Sequence, residues 1–118
     1  MTTSPESFLP LKPLELLVLT MLSDGPLHGY GIRQAILDHS GGSIEVEAAN
    51  LYRHIRRLHD EQLIDLVAQR TSGVDDERRR YFRLTPLGKR VLAAEIERLR
   101  ALVQFADTRR RGGVQPAV

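Results

Sequence analysis

The sequence predicts a mainly α domain with one small β-hairpin, in the order helix-helix-helix-strand-strand-helix. Three observations predict it. Apolar residues recur at helical spacing in four separate segments. Two runs rich in Leu, Ile, Val and aromatics, Leu63 to Gln69 and Arg79 to Leu84, are joined by a polar stretch holding Thr71, Ser72 and Gly73. That pair of runs follows the third helical segment directly. Helices leading straight into such a hairpin make a winged helix-turn-helix arrangement.

Residues 1–10 carry Thr, Ser, Pro and Glu without an apolar period and are expected as a flexible leader. Pro13 suits the first turn of a helix, where its missing N–H leaves nothing unsatisfied. Leu14, Leu17, Val18 and Met21 follow at helical spacing, and Leu16, Leu19 and Leu22 spread the apolar surface round most of that helix. A helix apolar on nearly all sides is covered on more than one side, and in so small a domain the second cover points to another subunit. Ser23-Asp24-Gly25-Pro26 is a turn cluster. A second helix, about Leu27 to His39, turns Ile32, Ala35 and Ile36 inward and stops at Ser40-Gly41-Gly42. Ser43 to Val46 is a short connector, and the third helix spans about Glu47 to Glu61. After the hairpin, Thr85-Pro86 reads as an N-cap followed by a first-turn proline. The last helix is expected over 86–109, with 110–118 as a flexible tail. The winged domain proper is then 11–85.

The third helix carries the chemistry. At 100° per residue, Leu51, Ile55 and Leu58 share one face and form its core stripe. Ala49, Asn50, Arg53, Arg56 and Arg57 spread over the opposite face, with Tyr52 on the flank. Arg offers a planar fork of donors that matches a guanine edge or a phosphate, and Asn can bond adenine at two points. Residues early in such a helix read bases and later ones meet the backbone. This places Ala49, Asn50 and Arg53 near bases, and Arg56 and Arg57 near phosphates. Glu47, at the helix start, reads as a cap or dipole partner. Arg70, Arg78, Arg79 and Arg80 gather at the hairpin base and add a basic surface for the backbone or minor groove. The acids Asp75, Asp76 and Glu77 sit beside them as pairing partners. Taken alone, the arginines of the third helix equally describe an ordinary solvated face.

Leu92, Ile96, Leu99, Val103 and Ala106 repeat at four and three residues, a coiled-coil-like seam. Leu87, Val91 and Leu102 widen it. Glu95, Glu97, Arg98 and Arg100 flank it and are expected to keep the other faces wet. With Leu14 and Leu17 of the first helix, the seam predicts a two-fold homodimer whose paired third helices match half-sites of a near-palindromic duplex.

Composition removes other classes. The 118 residues are 42% hydrophobic and 27% charged, ordinary for a soluble domain. There is no Cys, so disulfides, thiolate catalysis and Cys-ligated zinc are excluded. Leu14 to Leu22 is too short to span a bilayer and contains Glu15, and residues 1–10 lack the pattern of a secretory signal. A cytoplasmic protein without membrane contact is expected. His28, His39, His54 and His59 show no metal-ligand spacing; His28 reads as a structural residue beside Tyr30. No nucleotide loop, nucleophile elbow or zinc-hydrolase motif occurs, so neither enzyme nor cofactor is expected. The alternatives are a winged-helix module that binds protein without specific DNA affinity and, less favoured, a binder of double-stranded RNA.

Four segments in order resemble the PadR-type transcriptional regulators over about Leu11 to Ala106. They are Leu14-Glu15-Leu16-Leu17-Val18-Leu19; Gly25-Pro26-Leu27-His28-Gly29-Tyr30; Leu51-Tyr52 with Arg57-Leu58 and Leu63-Ile64; and Arg79-Arg80-Tyr81-Phe82-Arg83-Leu84-Thr85 with Gly88. The resemblance implies a homodimeric cytoplasmic repressor, often released by a small apolar effector, in the compact form with a single final helix. Two departures stand out. Ala49-Asn50 occupies the place of the family's usual Gly-Thr, which bears on the operator sequence. Gln62 occupies the place of a usual Gly, so another residue type must make the turn out of the third helix. Some compact relatives stack planar drugs between Trp residues, and this chain has no Trp.

Overall fold

The structure, a computed structural model, describes residues 3–67 and 80–113. A single 3-10 turn, Pro5–Phe8, leads into α1 (Pro13–Leu22), β1 (Leu27–His28), α2 (Gly29–His39), α3 (Ala48–Asp60), β2 (Ile64–Leu66), β3 (Tyr81–Leu84) and α4 (Pro86–Gly113). The fold is the mainly helical winged arrangement that the periodicity predicts. The hairpin gains a third strand, because β1 pairs antiparallel with β3 and the sheet order is β1-β3-β2. β2 and β3 pair in the register Ile64↔Leu84, Asp65↔Arg83 and Leu66↔Phe82.

The core is aliphatic. Val18, Leu19 and Leu22 of α1 meet Ile32 and Ile36 of α2, Leu51, Ile55 and Leu58 of α3, and Leu63, Ile64 and Leu84 beside the sheet. From α4 only Val91 and Leu92 join it, so the helix is anchored at its N-terminal end. Thr85 fastens that end. Its Oγ1 accepts the Gly88 amide at 2.9 Å and donates to the Gln62 carbonyl at 2.6 Å. Gly88 is demanded by contact, since a Cβ there would lie 2.0 Å from the Leu63 carbonyl oxygen.

The exit from α3 answers the question posed by Gln62. The Leu63 amide bonds the Leu58 carbonyl, the Gln62 amide bonds the His59 carbonyl, and Gln62 itself takes φ 63°. This is a Schellman closure with a side-chain-bearing residue in the left-handed position, where Gly is favoured. Gln62→Gly is expected to stabilise the fold by about 0.5–1 kcal/mol, the relief of strain exceeding the added chain entropy. Urea denaturation checks this, and a lower midpoint for the variant would contradict it.

Three expectations are corrected. The leader is not loose over its described part: the 3-10 turn packs on α4, and Phe8 and Leu9 lie against the core. Nor is Glu95 a wet flank residue. It is 1% exposed, accepts the Leu11 amide at 2.9 Å and is gripped by Arg98 at 2.5 and 3.1 Å. The Arg98 guanidinium holds the Glu95 carboxyl below its usual range; burial opposes this and the Leu11 amide assists it. A depressed folded pKa stabilises above the unfolded value and loses that contribution as pH falls through the folded one. Glu95→Gln is therefore expected to cost about 1–2 kcal/mol at pH 7. The gap from wild type should narrow as pH falls below the ordinary carboxylate range and close only beneath the depressed folded pKa. Thermal unfolding across this pH range checks it; a gap independent of pH would contradict it. The last helix also runs past 109 to Gly113, because Arg109–Arg111 continue a helix readily and no breaker precedes Gly112.

Candidate nucleic-acid interface

α3 presents its reading face because its other face is committed. Leu51 and Leu58 are fully buried and Ile55 nearly so, while Ala49, Tyr52, Arg53, Arg56 and Arg57 are exposed and Asn50 is half-buried. The start of the helix is set by Arg33, whose Nε donates to the Val46 carbonyl at 2.7 Å and holds the connector, with Val46 buried. Glu47 is the N-cap by backbone geometry, and its side chain makes no cap hydrogen bond.

Between α3 and the sheet lies a cleft of about 610 Å³ lined by His28, Gly29, Tyr30, Tyr52, Ile55, Arg56, His59, Leu66, Arg80 and Phe82. Its walls are aromatic and two guanidinium groups reach it. His28 earns the structural role read for it: its Nδ1 accepts the Gly31 amide at 2.9 Å, capping α2, and its ring packs with Tyr30 and Tyr81. The Tyr52 ring lies flush on Gly29, where a Cβ would stand 2.5 Å from it. Tyr52 therefore ties the flank of α3 to the first turn of α2. Arg80 is exposed at the base of β3. Arg70, Arg78 and Arg79 lie outside the described residues, as do Asp75, Asp76 and Glu77. In the paired strands, Arg83 meets Asp65 at 2.9 Å.

The predicted seam divides. Leu17, Ile96, Leu99 and Val103 share one open groove of about 720 Å³ with Leu16, Thr20, Arg100, Gln104 and Asp107. Ala106 is exposed in the same stretch of α4. Leu92 is instead 7% exposed in the protomer's own core, and Leu14 packs against that core, because the first turns of α1 and α4 must cover the domain itself. From Arg100 onward the described α4 residues are all exposed, including Leu102 at 51%, Val103 at 64% and Phe105 at 62%. Phe105, Leu16 and Thr20 were not among the predicted interface residues. Phe105 lies off the four-three repeat, which is why periodicity passed over it.

A second feature escaped the sequence reading. Glu15 of α1 is 5% exposed, 3.1 Å from His54 Nδ1 and 3.8 Å from Arg57 Nη1 of α3. The signal was present: Glu15 falls on the same helical stripe as Val18, Leu19 and Leu22.

Among the described residues no cluster of His, Asp or Glu could hold a metal ion, and no helix is long and apolar enough to cross a membrane.

Residues 18–94 match the model of the transcriptional regulator PadR-like family, more than half of the chain. A protein of transposon TN4556 from Streptomyces fradiae is 38% identical over 81 residues, covering 69% of this chain. The chain spans only 21% of that relative's length. A PadR family regulator from Eggerthella lenta is 29% identical, covers 80% of this chain and 79% of its own, and superposes with a TM-score of 0.62. Bacillus subtilis PadR in complex with operator DNA shares the fold at 24% identity and a TM-score of 0.59, covering 72% of this chain and 47% of its own. The matched region begins in α1, takes in the whole helix-turn-helix and the strands, and ends in the anchored part of α4. The chain belongs to the PadR-like family of transcriptional regulators.

Proposed function

We propose that the chain is a homodimeric repressor that binds a near-palindromic operator through α3 and the wing, and is released by a small apolar effector. The observation that carries the reading is the committed amphipathy of α3. Its apolar stripe is spent on the core, so Ala49, Arg53, Arg56 and Arg57 face solvent together beside a cleft that Arg80 also lines. Arg53 and Asn50 meet base edges; Arg56, Arg57 and Arg80 meet backbone phosphates. The solved complex of Bacillus subtilis PadR with operator DNA supports this use of the fold.

The dimer is supported by the groove between α1 and α4 and by the length of α4. A helix of 28 residues runs about 42 Å, yet its own domain covers only its first turns. A second copy seated there buries the apolar surface of both. The effector reading rests on the family resemblance, as does repression. The protein works where the chromosome is, in the cytoplasm.

Selection of bound fragments from a genomic pool tests the reading. Enrichment of a near-palindrome, its half-sites about one helical turn apart, is the expected result. Recovery of unenriched fragments would instead favour the protein-interaction module.

A further inference from the structure

The Glu15 cluster has no place in a simple account of folding. α1 is otherwise apolar around this position, and Glu15 shares its buried stripe with Val18, Leu19 and Leu22. Taking a carboxylate out of water is costly, and apolar side chains of similar volume commonly replace buried ion pairs without loss of stability. Among the described residues, the compensation at Glu15 comes from α3. A carboxylate only accepts, so the His54 Nδ1 proton is donated to Oε2 at 3.1 Å. Arg57 Nη1 lies 3.8 Å from the same oxygen. Arg57 Nε donates to Glu61 Oε1 at 3.3 Å.

Arg57 is thus held from two sides. One holder, Glu61, sits one turn along the same helix and is partly exposed. The other, Glu15, is 5% exposed and belongs to a different helix. The Arg57 side chain is half-exposed on the outer surface of α3. A long, flexible side chain that contacts a phosphate loses rotamer freedom on binding, of order 0.5–1.5 kcal/mol. One already paired with a buried carboxylate and with a neighbour on its own helix loses less.

We propose that Glu15 is a positioning residue for DNA binding, holding Arg57 and the azimuth of α3 ready for the backbone contact. This rests on the reading of α3 as the DNA-binding helix. Glu15 itself touches no DNA in this arrangement. It acts through Arg57, so its effect requires Arg57 to be present.

A double-mutant cycle tests this with the full chain and the duplex recovered by selection. Glu15→Gln keeps shape and packing and removes the charge. It is expected to weaken specific binding about tenfold. In an Arg57→Ala background the same change should alter affinity less than twofold. An equal loss in both backgrounds would assign Glu15 a merely structural role and overturn the proposal, as would wild-type affinity in folded Glu15→Gln. Should Glu15→Gln not fold, Arg57→Lys decides. It keeps the charge but loses the fork held by Glu15 and Glu61, and is expected to bind about tenfold more weakly; unchanged affinity would overturn the proposal. Failure of the wild-type chain to select any duplex sequence would bring down the DNA-binding reading and the proposal with it, an outcome distinct from selective wild-type binding that Glu15→Gln leaves intact.

Discussion

Leu99→Asp is expected to split the proposed dimer while leaving each protomer folded. Leu99 lies in the α1/α4 groove, beyond the last α4 residues in the core, Val91 and Leu92. A carboxylate there does not disturb the protomer's interior. Two-fold symmetry places the change on both sides of the interface. Each buried, unpaired carboxylate costs several kcal/mol, and a tenfold change in affinity corresponds to about 1.4 kcal/mol. The dimer constant should therefore weaken by about a thousandfold or more. Operator binding should fall with it, because two linked half-site contacts become two independent ones. Sedimentation equilibrium reads the association, and circular dichroism verifies the fold. An intact dimer in the Leu99→Asp protein would move the interface off this groove.

Arg53→Ala is expected to remove about 1–3 kcal/mol of specific binding and to relax base preference at one position of each half-site. Arg53 is exposed, on the face of α3 opposite Leu51 and Leu58. It lies nearer the start of the helix than Arg56 and Arg57, where base reading concentrates. The contrast with Arg56→Ala is diagnostic. A phosphate contact weakens binding uniformly across sequences and lowers the salt slope by about one, whereas a base contact changes the preferred sequence. Titration of single-base variants of the selected duplex separates the two. Unchanged affinity and preference in Arg53→Ala would remove this residue from the reading face.

The elements legible in the sequence were those whose pattern is local. The Leu51, Ile55, Leu58 stripe announces α3 because four-three spacing has no other ready cause, and Thr85-Pro86 marks the start of α4 because cap chemistry lies within a few residues. β1 was not legible. Two residues cannot display a period, and Leu27-His28 becomes a strand only through pairing with Phe82 and Tyr81. The partners of the buried carboxylates were hidden for the same reason. Glu95 is satisfied in part by an amide 84 positions away and Glu15 by a histidine 39 positions away, so although the α1 stripe turns Glu15 inward, what compensates it follows only from the assembled packing. The described part of the leader, just before Leu11, likewise packs on α4 and the core, a distant contact that no local pattern announces. Of the proposed interface, the division of the Leu92–Ala106 seam was also invisible. Periodicity aligns Leu92 with Leu99, and only the fold shows that the first is used at home and the second left open.

In the proposed dimer two copies of α3, held at a fixed separation by the paired α1/α4 surfaces, read half-sites on one side of a duplex. Inserting about five base pairs between the half-sites turns one of them to the opposite side, since a helical turn is about 10–10.5 base pairs. The measurement is the affinity of the wild-type protein for the selected duplex with and without that insertion, at one salt concentration. Affinity is expected to fall toward the non-specific level with the five-base-pair insertion and to recover in part with about ten. Affinity indifferent to the insertion would show that the two recognition helices are not rigidly spaced and would overturn the proposed dimer geometry.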